Sequence, residues 1–121
     1  MLFEGFVVLV CGGRDYRDRE AVFEVLDEIH AACTVSLLVS GSARGADALG
    51  EMWARVREIP YLGVPARWTT EGKAAGPRRN DRMLKMLPRL DLVVHFPGGN
   101  GTAHMVRRAR AAGVSTWKAV E

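Results

Sequence analysis

Three short segments of this chain pair glycines with residues that hold anions: CGGRDY at 11–16, SGSARGAD at 40–47 and PGGNGT at 97–102. Each follows an apolar, β-prone run and precedes what reads as the start of a helix. Glycine permits close backbone approach, and a helix start offers free N–H groups with about half a positive charge from the dipole. Together these features make a cradle for phosphate. The candidate ligands are Gly12, Gly13, Arg14 and Asp15 in the first segment, and Ser40, Gly41, Arg44, Gly45 and Asp47 in the second. In the third they are Pro97, Gly98, Gly99, Gly101 and Thr102, the last four acting through backbone N–H groups and the Thr hydroxyl.

Each residue also has a plainer reading. Arg14 and Asp15 suit a base, a ribose or a phosphate, and equally a surface ion pair. Asp47 suits the mouth of the second turn or the stabilisation of a helix N-terminus. A fourth group, Lys73, Arg78, Arg79 and Asn80 around Gly76-Pro77, reads as a basic binding cluster or a solvated face. Trp68 could stack on a base or anchor a loop. His95, His104 and His30 lack an evident carboxylate partner in sequence and read as structural or peripheral.

Known nucleotide fingerprints do not fit. The chain has neither GxGxxG nor GxxxxGK[ST], so an ordinary dinucleotide site and a P-loop kinase or ATPase are unsupported. Cys11 and Cys33 are the only cysteines and lack metal-ligand spacing, so no metal, no other cofactor and no disulfide framework is expected, and the compartment reads as reduced and cytoplasmic. Arginine supplies 14 of the 17 cations, and its planar fork favours phosphate partners. The N-terminal MLFEGFVVLVCGG has no basic leader, carries Glu4 and is too short to span a bilayer, so it reads as a buried strand and no membrane partner is expected.

The elements that must position these residues alternate along the chain. Strand-like runs fall at 6–11, 35–40, 59–65, 90–96 and 114–120. Between them, Val22, Leu26, Ile29 and Cys33 share one helix face, and Gly45, Leu49, Met52, Trp53 and Val56 another. Met83, Leu84 and Leu87 mark a shorter third helix; Val106, Ala109 and Ala112 mark a fourth, which stops at Gly113. Residues 66–77 read as one long irregular loop. Apolar strands without alternation require a sheet covered on both faces. With 121 residues and 48% hydrophobic content, the expectation is one domain over 1–121 with an α/β fold: a three-layer, Rossmann-like, doubly wound parallel five-stranded sheet of order 3-2-1-4-5. In that order the turns after strands 1 and 4 flank the topological switch point, where such sheets bind ligands.

The four segments GGRDY, SGSARGADALGEMWA, GKAAGPRRNDRML and PGGNGTAHM, in this order over nearly the whole chain, resemble the SLOG superfamily, and within it the small YspA/cpYpsA-related domains. The resemblance implies a nucleotide or nucleotide-derived ligand and places Arg79-Asn80 at the site. LOG-type phosphoribohydrolases, which cut the N-glycosidic bond of a nucleoside monophosphate, share a PGGxGTxxE motif. Pro97, Gly98, Gly99, Gly101 and Thr102 match it, and Met105 stands where the catalytic glutamate would be. DprA proteins, which bind single-stranded DNA, share an SGxARGxD-like segment matched by Ser40, Gly41, Ala43, Arg44, Gly45 and Asp47, but this chain has no room for their accessory domains. Superfamily relatives often dimerise through helices, which leaves room for a homodimer. The leading reading is binding or sensing of a nucleotide-type ligand. An N-glycosidase using Asp15, Asp47 or Glu71 in place of the missing glutamate stays open, as does single-stranded nucleic-acid binding. In none of these readings does Met105 ionise, and with Val106 and Ala109 it is expected to pack against the sheet.

Overall fold

The computed structural model describes residues 5–120. Residues 1–4 of the expected N-terminal run lie outside them; the strand itself does not. Five parallel strands, β1 (Phe6–Cys11), β2 (Val35–Ser40), β3 (Tyr61–Gly63), β4 (Leu92–His95) and β5 (Ser115–Lys118), form one sheet of order β3-β2-β1-β4-β5. The helices are α1 (Arg19–Cys33), α2 (Ala46–Val56), α3 (Trp68–Glu71), α4 (Ala75–Met86) and α5 (Asn100–Ala111). This is the Rossmann-like α/β arrangement expected from the sequence.

Two apolar layers cover the sheet. Val8 and Val10 of β1 join Val22, Leu26, Trp53 and Phe96 on the α1/α2 face. Val7, Leu9 and Cys11 join Met83, Met105 and Ala109 on the α4/α5 face. The β1 run is buried on both sides by its own two-residue alternation, which is why it shows no polar alternation in sequence. Trp53 is fully buried yet keeps its indole N–H satisfied, donating to Asp27 Oδ1 at 2.8 Å. Arg57 grips the same carboxylate with two hydrogen bonds of 2.8 Å, tying α1 to the end of α2.

The strands at the sheet edges are shorter than their apolar runs. Pro60 and Pro65 bracket β3 and lack the N–H a ladder needs, so pairing there is confined to Tyr61–Gly63 with Pro60 O and Val64 N–H each adding one flanking bond to β2. Gly113 takes φ +79 after α5, and the N–H of Val114 returns to Ala109 O at 2.9 Å, closing that helix in the left-handed manner.

Two expectations are corrected. Residues 66–77 are not an irregular loop: they hold α3, a single 3-10 turn at Gly72–Ala74 and the start of α4. The third long helix therefore begins at Ala75, ahead of Arg78, Arg79 and Asn80, and ends before Leu87, whose backbone is extended. Gly76 and Pro77 looked like breakers but occupy a first helical turn, where the N–H that proline lacks has no intrahelical partner anyway. The buried face of α2 is also rotated from the expected one. It consists of Ala46, Asp47, Gly50, Trp53 and Ala54, whereas Val56 is 53% exposed and Gly45 caps the helix from outside. A Cβ on Gly50 would lie 3.1 Å from Val10 Cγ1, so small side chains rather than large ones mark the contact.

Candidate functional site

The turns that leave β1, β2 and β4 meet at Gly13. Its N–H donates to Pro97 O at 2.8 Å, and its carbonyl accepts from Ala46 N–H at 3.1 Å. Such contact needs glycine. A Cβ on Gly12 would come within 2.6 Å of Ala46 Cβ, and one on Gly13 within 2.9 Å of Pro97 O. Gly45 has φ +82, and a Cβ there would run into the Gly13 carbonyl. Gly98 is packed the same way, against Thr102 Oγ1 and the Gly13 N–H.

Gly99 and Gly101 differ. A Cβ on either meets nothing within 4 Å, and neither has a positive φ, so neither packing nor backbone conformation requires glycine there. Both border an open cleft of about 610 Å³. Helix α5 starts at its edge with Gly99 as N-cap and no side-chain cap. The first intrahelical bond is Ala103 N–H to Gly99 O at 3.1 Å, so the N–H groups of Asn100, Gly101 and Thr102 have no intrahelical partner.

The other walls come from Gly12–Arg14 after β1, from Gly41, Ala43 and Asp47 after β2, and from Trp68, Lys73, Arg79 and Asn80 on the α3–α4 segment. Cys11, Met83 and Met105, all buried, form the floor. Among the described residues, four cations, Arg14, Lys73, Arg79 and Arg107, face this space with a single carboxylate, Asp47. The local potential therefore favours an anion.

Arg79 and Asn80 tie the walls together. Arg79 Nη1 donates to Gly41 O at 2.6 Å, and its Nε donates to Asn80 Oδ1 at 3.0 Å. Burial draws the Arg79 pKa down from its ordinary value, with Asp47 opposing that shift. Asn80, 4% exposed, donates from Nδ2 to Gly101 O at 3.3 Å and sits 3.1 Å from His104 Nδ1. One amide thus fixes the first turn of α5 against α4.

Asp47 is 5% exposed at the start of α2 and accepts from Ala43 N–H at 3.2 Å. Burial raises its pKa to about 6, against the lowering effect of the Ala43 N–H and of Arg79. The Cys11 thiol beneath is pushed up to about 12, first by burial and then by Asp47, so it stays protonated and unreactive.

Other candidates from the sequence are placed elsewhere. Ser40 is fully buried, bonded to the Glu51 carboxylate and to Ser42 N–H, and is not part of the lining of this cleft. Arg44 and Asp15 form an exposed pair at 3.6 Å, with side chains 74% and 89% accessible. Arg44 borders a smaller groove beside Arg14 and Trp68. Pro97 and Gly98 lie on the far side of the α5 start, around which Gly99 and Thr102 border both spaces. Glu71 is engaged by Arg78 at 3.7 Å and Arg82 at 3.3 Å, away from the cleft. Arg78, weighed in the basic cluster, is thereby committed to an ion pair. Sequence reasoning missed Arg107 and Ala43 and set His104 aside. Arg107 lies five residues after Thr102 on the same helix, a spacing that does not announce a shared site.

The sequence pattern of the YspA, cpYpsA-related SLOG family matches residues 6–70, from β1 into α3. The chain belongs to this family. It is also 36% identical over 115 residues to the "Gene 61 protein" of Mycobacterium phage D29, an alignment covering 88% of this chain and 90% of that one. No solved structure matches it. The family match thus spans the turns after β1 and β2, while the turn after β4 and all of α5 lie beyond it. Among the described residues no helix is long and apolar enough to cross a membrane, and no group of three or more His, Cys, Asp or Glu is placed to hold a metal ion.

Proposed function

We propose that this SLOG-family protein is a cytoplasmic domain that binds or senses a nucleotide or nucleotide-derived molecule, with a phosphate at the start of α5. The observation that carries this reading is the uncapped helix start: three N–H groups without intrahelical partners border a cleft that also holds Arg14, Lys73, Arg79 and Arg107. Gly99 and Gly101, which the fold does not require to be glycine, leave the space a phosphate would take. The direct test is to denature the purified protein, analyse released small molecules by mass spectrometry, and run a nucleotide panel by thermal shift. A co-purified nucleotide or a clear stabilisation is expected; neither one across a broad panel overturns the reading.

Met105 supports retention over cleavage. Breaking an N-glycosidic bond builds positive charge on the ribose, which a carboxylate stabilises and a thioether does not. Met105 is 1% exposed among Met83, Val93 and Ala109. A hydrolase reading rests on Asp47, since of Asp15, Asp47 and Glu71 it alone borders the cleft, and its raised pKa suits acid–base work. For single-stranded DNA, several phosphate contacts would give affinity a steep salt dependence, with a slope of about −0.7 per contact. Weak DNA binding with a shallow slope is expected.

A further inference from the structure

The first turn of α5 is a ridge with a space on each side. On the side away from Arg14, a second cavity of about 590 Å³ lies between α5 and the ends of β4 and β5. His95 and Lys118 are register partners in the β4–β5 ladder. The two-residue alternation of the strands puts them on the same face as Val93, which packs with Met105 and Ala109 of α5. From the helix, Arg107 and Arg110 stand three residues apart, one face of α5 turned to this space.

Among the described residues that line the cavity, four side chains are basic and none is a carboxylate. Arg110 spends its Nε on Thr116 Oγ1 at 3.1 Å, which leaves the two terminal nitrogens of its fork available. Among the described residues, no ion pair joins Arg107, Arg110 or Lys118 to an acid, although six other arginines are so paired. His95 Nε2 is buried and has no hydrogen-bond partner. Cations that line one cavity repel one another, and an anion held among them relieves that repulsion. Burial lowers the His95 pKa, and Arg110 and Lys118 lower it further, as a positive local field must.

We propose that His95, Arg107, Arg110 and Lys118 form a second phosphate subsite across the α5 ridge. Arg107 borders both spaces, so one ligand can be held on both sides of the helix start. The ligand class is a nucleotide-type molecule with two separated phosphate groups, an assignment that rests on the phosphate reading of the first cleft.

Two experiments separate the subsite from that reading. In the first, the full chain is titrated with inorganic phosphate and followed by NMR at the His95 ring nitrogens and the amides of Asn100, Gly101 and Thr102. Shifts at His95 that vanish in Lys118→Ala with Arg110→Ala, while those at the three amides persist, support the subsite. No response at His95 overturns it. In the second, adenine and guanine nucleoside 5'-monophosphates are compared with the matching 3',5'-bisphosphates. The bisphosphate is expected to bind at least tenfold tighter, and the double variant should erase that advantage without weakening the monophosphate. Equal affinities overturn the two-phosphate ligand and leave the first cleft intact. If no nucleotide binds, the first reading fails and with it the ligand class, and the His95 titration decides the subsite alone. Both replaced side chains are exposed, so the double variant should fold.

Discussion

The guanidinium carbon of Arg14 lies 4.9 Å from the centroid of the Trp68 ring, joining the turn after β1 to α3 beside the cleft. Trp68 is 49% exposed, so this contact is open to competition from a planar ligand. Nucleotide binding should change tryptophan fluorescence, and Trp68→Phe should remove that change while Trp53 and Trp117 stay in place. Trp68→Ala should weaken binding roughly 2- to 30-fold, the range of about 0.5–2 kcal/mol for cation–π and stacking contacts. Unchanged affinity would remove Trp68 from the site.

Two glycine substitutions should part ways. Gly101→Val places its side chain in open space bordering the cleft, so the melting temperature should hold or rise slightly while nucleotide binding is lost. Gly12→Val drives a Cβ to 2.6 Å from Ala46 Cβ and should cost about 1–3 kcal/mol or more in stability. Calorimetric binding and urea unfolding on both variants check the pair. A destabilised Gly101→Val with normal affinity per folded molecule would contradict the assignment.

Asn80→Leu removes the donor to Gly101 O and the acceptor for Arg79 Nε in one step. Leaving buried polar groups unmatched costs about 1–3 kcal/mol each, and the start of α5 loses its tie to α4. Lower stability together with weaker nucleotide binding is expected. Unfolding curves and binding isotherms for this variant check it, and unchanged values for both would show that the tie does not matter.

Asp47 has a folded pKa of about 6, above its ordinary value, so the folded state holds this proton more tightly than the unfolded chain. Its ionisation therefore weakens the fold as pH rises through the window from about 4 to about 6, and the cost stays in full above it. Asp47→Asn should gain stability at pH 7.5, on the order of 1–3 kcal/mol, a net figure in which the attraction to Arg79 is already counted, and the gain should disappear below pH 4. Thermal melts at four or five pH values test both the sign and the window. A variant less stable at pH 7.5 than at pH 4, relative to the parent, would reverse the account.

The unmutated protein should release neither free base nor ribose 5-phosphate from nucleoside monophosphates above background. Met105→Glu restores the motif carboxylate, but into a position 1% exposed between Met83 and Ala109. Burying an unpaired carboxylate costs several kcal/mol or keeps it protonated, so the variant should be markedly destabilised and gain trace hydrolysis at most. Robust cleavage by the native chain, lost in Asp47→Asn, would instead make Asp47 the working carboxylate.

What the sequence determined by itself was the sheet. Uninterrupted apolar runs such as FVVLVC can be satisfied only between two covering layers, and their alternation with helical patterns calls for a doubly wound parallel sheet, whose common order β3-β2-β1-β4-β5 the structure shows. The glycine turns were legible for the same reason: glycine marks where backbone must pass close to something. Sequence could not say to what. Gly12, Gly13, Gly45 and Gly98 meet neighbouring turns, while Gly99 and Gly101 meet empty space, a distinction made only when residues some 85 positions apart come together. The length of α4 was hidden because Gly76 and Pro77 break a helix in its middle and are tolerated at its start. Tertiary packing alone turned Asp47 inward and left Asp15 in solvent, though both follow a glycine turn. It also set His95 beside Lys118, because ladder register is a relation between strands that neither strand carries in its own sequence.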